Sequence, residues 1–475
     1  MNFTLFIYKS DNIFKSIFFF ATLFLLLLVG NLYAMNYYVS TASLGNATAD
    51  SWTNKTIITS LDWTQLHGGD TVYVDGGADS LTYGSVMLEG VGDNNGIIVI
   101  TNGKDSGHNG KAIFSCLASD SATKGYSFRI KTFSRNIILT GLTFKWLVGT
   151  GTYCVSLEQV TNVHIDNCHI ISNGKVECII PGSDTAISIT NNIIETLANN
   201  YTTEQDGIEF ANGGGGHTII GNTIIVRGIN PVVHLDCIQM GGDEGLTNKY
   251  QTIIANNFIY NTGTSQGIYI ANAGSNRFLI YNNIIIVHDK DASAFTITQA
   301  SPYHTTAQIY NNTIISKSHY TCDLLNLDTL IFKNNICMID SSPNNISIIG
   351  LGEAGLGLSG LGYKSFDYNQ YFQRGNPIRI DTGAYYHTAW AQWKALGYDA
   401  HSDTGIVNFA NIWGTNATDY KLATGSSGID GGTTIPLTSP AFDGTIRPQD
   451  KAYDRGAFET SVASNESFNR HKLNK

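Results

Sequence analysis

A short motif recurs through the middle of the chain, and its period constrains the fold more than any other feature. Each copy has alternating apolar residues, then an asparagine, then a second short apolar run, as in "TIIANNFIY" and "AQIYNNTII". The copies follow one another at intervals of roughly 25 to 35 residues, which is typical of repeat architectures. Alignment places these residues at one position: Asn167, Asn191, Asn222, Asn256, Asn282, Asn311 and Asn334, with Gly141 before them and Asn369 after them.

The repeat predicts a coil of short strands. Alternating apolar residues indicate half-buried strands, and a unit of about 25 residues buries its apolar face only by stacking on its neighbours. Asparagine tolerates left-handed turn geometry, so we expect one at a corner of each coil. Leucine-rich repeats share this period, but Ile, Asn and Thr dominate here instead of Leu. The sequence therefore predicts a parallel β-helix.

The regions outside the repeat have other predicted roles. Residues 1–34 contain two lysines, an apolar run and a small residue, Ala34, which is typical of an export signal peptide. We expect residues 35–115 to form an N-terminal cap with the first coils, and residues 116–375 to form the β-helix. Residues 376–460 are expected to contain a helix around Trp393, ended by Gly397, and a capping module. Residues 461–475 resemble a frayed tail.

Charge and cysteine content exclude several partners. A net charge of −10 is unsuited to nucleic-acid phosphates. The seven cysteines form no CxxC pair, which argues against a zinc cluster, and they are too sparse for a disulfide scaffold. We expect them to be mostly buried, and their pairing stays open. We also expect a monomer that is secreted to the periplasm or the exterior, with no membrane partner once the signal is removed.

Several stretches resemble secreted right-handed parallel β-helix proteins of the pectate-lyase-like superfamily. These stretches are "NYYVSTASLGNATADSW" and "LHGGDTVYVDGGADSLTYG" near the mature start, "HTAWAQWKALGYDAHSD" after the repeat and "DGTIRPQDKAYDRGAFE" near the end. The resemblance implies an all-β, right-handed parallel β-helix solenoid with an N-terminal cap and a small C-terminal module. It leaves the activity open, because this fold is shared by lyases, hydrolases, epimerases and adhesins.

A column of acidic residues is the strongest candidate for a site. Counting back from the aligned asparagines places Glu177 of "ECIIP", Asp206 of "DGIEF" and Asp236 of "DCIQM" at one corner of three successive coils. Stacked strands lie about 4.8 Å apart, and like charges this close raise at least one pKa. A carboxylic acid of raised pKa beside an ionised one suits glycoside hydrolysis. The alternative is that these residues cap turns.

The same alignment predicts one inward apolar column, which includes Ile208, Ile238 and Ile268, and one outward column beside it. We expect substrate contacts from the outward column and from residues near the acids: His234, Glu209, Gln239, Gln266 and Tyr269. No cofactor is certain. If Ca²⁺ binds, the oxygen ligands would come from Asp206, Asp236, Asp243 and Glu244.

The acidic strands also resemble those of polygalacturonases, in which catalytic aspartates precede "G-apolar" and "C-apolar" strands. Asp206 and Asp236 match these two positions. The favoured hypothesis is therefore a secreted enzyme that cleaves a polysaccharide, a glycoside hydrolase with Asp206 and Asp236 as the acid/base pair and Glu177 beside them. A calcium-assisted uronate lyase and a non-catalytic carbohydrate-binding or adhesin β-helix stay open.

Overall fold

The structure is a computed structural model, and it describes most of the chain from residue 34 onwards. The described residues are 34–116, 125–146, 153–173, 177–182, 184–197, 205–210, 215–228, 234–241, 251–271, 277–289, 292–298, 305–317, 319–340, 346–351, 358, 361–382 and 387–460. The predicted signal peptide and C-terminal tail therefore lie outside these residues, apart from Ala34. In the described part of the chain, no helix is both long and apolar enough to span a membrane.

The chain winds through three long sheets, here called A, B and C, and contributes strands to them in turn. Sheet A consists, in spatial order, of Thr56–Ile57, Asn36–Ser40, Thr71–Val74, Ile98–Asn102, Arg135–Thr140, Thr161–Asp166, Ser188–Thr190, Thr218–Ile220, Gln251–Ala255, Arg277–Tyr281, Thr306–Tyr310, Thr329–Lys333 and Tyr363–Asp367. Sheet B consists of Ser80–Tyr83, Lys111–Ser115, Thr143–Trp146, His169–Ser172, Ile193–Thr196, Thr223–Val226, Phe258–Asn261, Ile284–Val287, Thr313–Ser316, Ile336–Ile339 and Gln370–Gln373. Sheet C consists of Val86–Glu89, Tyr126–Lys131, Tyr153–Glu158, Glu177–Gly182, Ile208–Phe210, Ile238–Gly241, Ile268–Ala271, Phe295–Thr298, Cys322–Leu325, Ile349–Leu351, Arg379–Asp381 and His387–Ala389.

The strand pairing is parallel throughout these sheets, except that His387–Ala389 runs antiparallel to Arg379–Asp381. Inward side chains from all three sheets form one continuous apolar core along the coil. The predicted all-β parallel β-helix is therefore confirmed. Strands of all three sheets occur before Cys116, so coils begin ahead of the region in which the asparagine motif is visible.

The turn from sheet A to sheet B explains the asparagine motif. Its first residue has a positive φ in successive coils, at Gly141, Asn167, Asn191, Gly221, Asn256, Asn282, Asn311, Asn334 and Tyr368. Glycine and asparagine adopt this left-handed geometry at the lowest cost. The predicted corner position is therefore confirmed for most of the motif. It was wrong for Asn222 and Asn369, which lie one residue further along because Gly221 and Tyr368 occupy those corners.

The second residue of the same turn forms a buried asparagine ladder. Asn257 is representative: its Oδ1 accepts the backbone N–H of Asn222 at 3.0 Å, and its Nδ2 donates to the Ile219 carbonyl at 2.8 Å. Both partners belong to the preceding coil, so each rung links one coil to the next. The buried members of this ladder are Asn192, Asn222, Asn257, Asn283, Asn312, Asn335 and Asn369.

The C-terminal residues cover the outer face of sheet B. Tyr420, Leu422 and Phe458 pack with outward side chains of sheet B, including Phe258 and Ile286, in a second apolar cluster. The corner amides fasten this module, since Asn282 Nδ2 donates to the Pro440 carbonyl at 2.9 Å and Asn334 Nδ2 to the Thr433 carbonyl at 2.7 Å. The described contacts of the module therefore lie on sheet B and on the corner between sheets A and B.

The predicted helix after the repeat is confirmed as a short α-helix, Trp390–Ala395, and Gly397 follows it with φ of 91°. Trp393 is buried and its indole N–H donates to Asp399 Oδ2 at 2.7 Å, whereas Leu396 is exposed. The other helical turns among the described residues are 3₁₀: Trp52–Asn54, Ile58–Ser60, Trp63–Gln65, Ala417–Tyr420 and Pro436–Thr438. All seven cysteines are buried, as predicted, and none forms a disulfide in the structure.

Candidate functional site

Sheet C contains the two predicted columns in the predicted register. Ile208, Ile238 and Ile268 pair with one another in successive strands and are fully buried. One residue further along, the outward positions are in register: Glu209, Gln239, Tyr269, Thr296 and Asp323. The outer face of sheet C therefore presents one column of polar side chains across five coils. Its fifth member is Asp323, which the sequence alignment had not reached.

Asp206 and Asp236 lie at the entrance to their strands, and the side chains of both are fully buried. Asp206 Oδ1 accepts the backbone N–H of Asp236 at 2.7 Å, and Asp236 Oδ1 accepts the backbone N–H of Gln266 at 2.8 Å. The structure thus brings the two residues together in successive coils, each with one oxygen on the backbone of the next coil. A substrate on the outer face of sheet C does not touch them directly. Their catalytic role stays a prediction.

His234 connects the buried Asp236 to the outer face. Its Nδ1 lies 3.2 Å from Asp236 Oδ2, and its side chain is 41% exposed while that of Asp236 is 0% exposed. The imidazole also meets the Tyr269 ring edge to face, with 5.4 Å between the ring centres. Burial, and secondly the charge of Asp236, raise the pKa of Tyr269, so its phenol stays protonated at neutral pH. These three residues form a chain that leads from the buried carboxylate to the surface.

A cavity of about 520 Å³ opens beside this chain of residues. His234, Gln266 and Tyr269 form one end of its lining, and His319 and Asp323 belong to the part contributed by later coils. The other lining residues are Thr264, Ser265, Asp289, Ala292, Ser293, Thr296, Thr298 and Leu325. Among these lining residues there are many neutral hydrogen-bond donors, two histidines and two aspartates, but no Lys or Arg. The cavity size and polar lining suit a small stretch of a polar ligand.

The Asp323 end of the cavity contains a second pair of acids. Asp323, Gly350 and Asp381 are in register in three successive strands of sheet C. A Cβ on Gly350 would lie 2.6 Å from Asp323 Oδ1, so the missing side chain leaves room for that carboxyl group. The Tyr320 hydroxyl donates to Asp381 Oδ2 at 3.0 Å. Burial, and secondly the charge of Asp381, raise the pKa of Asp323 to about 6.

The sequence offered a signal for Asp323 that the alignment did not use. The strand "TCDLL" follows "SAFTI" by one coil and precedes the next corner asparagine, so one more step would have placed Asp323 in the outward column. No comparable signal exists for Asp381, because it lies beyond the last clear copy of the motif. The functional interest of both residues comes from their register in the folded coil.

The other residues predicted to contact substrate or to bind calcium lie at different places in the structure. Glu209 and Gln239 lie in the outward column before Tyr269, and both are partly exposed. Gln266 lines the cavity and its side chain accepts a hydrogen bond from Ser265. Glu177 begins its strand in register with Tyr153, but its side chain is outside the described part of the structure. Asp243 and Glu244 also lie outside the described residues.

Comparison with known proteins defines the fold. No family model matches the chain, and no curated protein matches it either. Among solved structures, the crystal structure of pectate lyase Pel9A is similar over 91% of this chain and 98% of that chain, with a TM-score of 0.55 and 12% identity. The chain has the right-handed parallel β-helix fold. At this level of identity the likeness establishes the fold alone. The PL6 family alginate lyase AlyGC is less similar, with a TM-score of 0.30, 12% identity, and coverage of 70% and 54% of the two chains.

The described residues do not fit a metal ion. In the ranges that the structure describes, no three His, Cys, Asp or Glu side chains come together in a way that could hold one. The two described members of the predicted calcium set, Asp206 and Asp236, are sealed in the turn and already accept backbone N–H groups. No step of the chemistry below is therefore derived through Ca²⁺.

Proposed function

We propose that the protein is an exported enzyme that cleaves a polysaccharide, and that it acts as a uronate lyase by β-elimination. The main observation is the arrangement of His234 between buried Asp236 and Tyr269 at the edge of a polar cavity. A base that is oriented by a third group, with a phenol beside it, is the arrangement that proton transfer requires. The likeness to a solved structure described as pectate lyase Pel9A favours elimination over hydrolysis. The apolar N-terminal run, which is typical of an export signal, supports export.

The roles follow from which atoms are buried. Asp236 orients His234 through Nδ1, and the scheme assigns Nε2, the other ring nitrogen, to the substrate. In β-elimination, Nε2 of His234 takes the proton from C5 of a uronate. The electron pair of that C–H bond forms the C4–C5 double bond, and the C4–O bond breaks. The Tyr269 phenol, which stays protonated, supplies a proton to the departing oxygen. Asp236 is a positioning residue in this scheme, not the acid/base partner of Asp206.

A glycoside hydrolase is the second candidate, and a different acid pair favours it. Asp323 has a pKa raised to about 6 and lies near Asp381, whereas Asp206 and Asp236 are buried in the turn. A protonated carboxylic acid beside an ionised one is the basis of glycoside hydrolysis. In this version the reacting bond would lie over Asp323, about two strand spacings (roughly 10 Å) from Tyr269.

Product analysis separates the candidates. The purified protein is incubated with a panel of polyuronates and neutral polysaccharides, and the products are examined for ultraviolet absorbance and for reducing ends. The lyase proposal predicts unsaturated uronates that absorb in the ultraviolet. Saturated reducing ends alone would indicate the hydrolase. Binding without any product would indicate a carbohydrate-binding β-helix.

Two variants test the assigned roles. We expect His234→Ala to lower kcat by about 10²-fold or more, because the base is lost. Tyr269→Phe removes only the hydroxyl and keeps the ring against His234, so its loss of kcat reports on proton donation. As a matched control, Tyr310→Phe removes a hydroxyl from sheet A, and we expect unchanged rates. Full activity of His234→Ala would remove this residue from the mechanism.

A further inference from the structure

The cavity raises a problem of charge. The proposed function gives it a polyanionic substrate, yet the protein has a net charge of −10, and none of the described residues that line the cavity is Lys or Arg. The lining residues that do carry or can carry charge are His234, His319, Asp289 and Asp323. Repulsion between an ionised aspartate and a uronate is strong where water is partly excluded. A carboxyl group in this cavity therefore helps a uronate to bind only when it is neutral.

The surroundings of Asp323 favour its neutral form. Its strand lies between Phe295–Thr298 and Ile349–Leu351, so Thr296 and Gly350 are its register neighbours, and neither carries a charge. The next strand brings Asp381 to the same column, two residues after Arg379 and opposite His387 in the antiparallel pair. Burial and then Asp381 raise the pKa of Asp323 to about 6. The Tyr320 hydroxyl donates to Asp381 Oδ2, so the carboxyl group that raises the pKa of Asp323 is itself held by a hydrogen bond.

The position of the carboxyl group is fixed by shape as well as by charge. Asp323 Oδ1 lies 2.6 Å from where a Cβ of residue 350 would be, and the Tyr320 ring lies 3.4 Å from that same point. The carboxyl group therefore occupies the space above Gly350, beside Tyr320. It also lines the cavity, about two strand spacings from Tyr269 (roughly 10 Å), so it belongs to a neighbouring sugar subsite and not to the reacting bond.

We propose that Asp323 works as a neutral carboxylic acid and donates a hydrogen bond to a carboxylate of the bound polymer, in a subsite next to the reacting sugar. This proposal rests on the proposed function, because it takes the substrate to be a polyuronate. A hydrogen bond from a neutral acid to a carboxylate is charge-assisted, so it is stronger than one between neutral groups. Ionised Asp323 repels the same carboxylate. The subsite thus selects uronate over neutral sugar and makes binding depend on pH.

Calorimetry tests the subsite without turnover. The probes are saturated tetramers of galacturonate and of mannuronate, together with the methyl ester of the galacturonate tetramer. All are measured in a His234→Ala background that stops cleavage. If only neutral Asp323 binds, affinity for the acidic probe falls about twentyfold between pH 5.5 and pH 7.5. Asp323→Asn keeps a neutral donor at all pH values, and we expect its affinity at the two pH values to differ by less than about twofold. The methyl ester is expected to show no such dependence.

A matched control and an active-enzyme measurement complete the test. Asp289→Asn removes one negative charge from the same cavity, and we expect it to keep the pH dependence of the parent. No binding of either acidic probe, a parent affinity that is independent of pH, or an Asp323→Asn variant that still loses affinity as the pH rises would each overturn the subsite.

Turnover distinguishes this failure from failure of the proposed function. With His234 intact, the parent and Asp323→Asn are compared at pH 5.5, and we expect both to release unsaturated products, because an amide still donates to the substrate. Loss of kcat in Asp323→Asn, with saturated products from the parent, would instead assign Asp323 as the general acid of a hydrolase. Normal pH-dependent binding with no unsaturated product would contradict the lyase and leave the subsite supported.

Discussion

The asparagine ladder and the aspartate pair are two stacks of polar side chains with similar geometry and different chemistry. In both, a side-chain oxygen accepts a backbone N–H of a neighbouring coil, as Asn257 does from Asn222 and Asp236 does from Gln266. An amide also donates, so Asn257 donates a hydrogen bond to the Ile219 carbonyl, and both of its polar side-chain atoms bond to the backbone of the preceding coil. A carboxylate has no proton to donate, and the second oxygen of Asp236 faces His234.

The difference shows what each stack contributes. Each ladder amide hydrogen-bonds to backbone groups of a neighbouring coil. This pairing stabilises the coil, because buried polar groups are costly when they have no hydrogen-bond partner. A carboxylate in the same kind of position places a negative charge under the surface, where it orients an imidazole. The same stacking geometry therefore links the coils at the turn between sheets A and B, and under the proposed function it positions His234 at sheet C.

The largest effect on stability is expected in the ladder. Asn257→Leu removes the acceptor of the Asn222 N–H and the donor to the Ile219 carbonyl, and each buried group left without a partner costs about 1–3 kcal/mol. We expect the free energy of unfolding in urea to fall by about 3 kcal/mol or more. The matched control is Asn256→Gly, one residue earlier at the positive-φ corner, with a change within about 1 kcal/mol. Equal losses in the two variants would mean that the ladder adds nothing beyond the turn.

The next effect separates the two aspartates. Asp236→Asn and Asp206→Asn each keep an oxygen for the backbone N–H of the next coil, so we expect both to fold with similar stability. Asp236→Asn removes the anion beside His234, and we expect kcat to fall by about 10²-fold. Asp206→Asn is expected to lower kcat by less than tenfold. Equal, large losses in both would support an acid/base pair instead.

The smallest expected effect is on how the free energy of unfolding depends on pH. Asp323 has a pKa of about 6 in the folded protein and an ordinary, lower value in the unfolded chain, so the folded state holds this proton more tightly. The stability that Asp323 contributes is therefore present in acid and is lost as the pH rises from about 4 to 6. Between these pH values the shift corresponds to a loss of about 2 kcal/mol, and we expect Asp323→Asn to remove that loss in urea unfolding. An identical pH profile in both proteins would contradict the raised pKa.

Much of the fold could be predicted because its rules are local and periodic. Alternation with period 2 fixes which residues face inward, so Ile208, Ile238 and Ile268 could be aligned without coordinates. The prediction of the corner residue was wrong only where another residue has the positive φ, as Gly221 does before Asn222. Counting residues cannot separate two adjacent positions when either one can hold asparagine.

The site was harder to predict because burial at a corner depends on the loops around it. The sequence places Asp206 and Asp236 in successive coils, but it does not show that both side chains are sealed and that His234 is the group reaching the surface. The sequence also does not show that the carboxyl group of Asp323 lies above Gly350, in the same column as Asp381. Such contacts arise between coils that are 27 to 58 residues apart in the chain, at about 30 residues per coil.

The most direct test of the site is a crystal structure of the His234→Ala variant with a bound uronate tetramer. The sugars are predicted to lie along the outer face of sheet C, with one over Tyr269 and a carboxylate of a neighbouring sugar within hydrogen-bond distance of Asp323. A tetramer bound on sheet A, or at sheet C with no sugar near Tyr269, would contradict the assignment of this cavity as the active site.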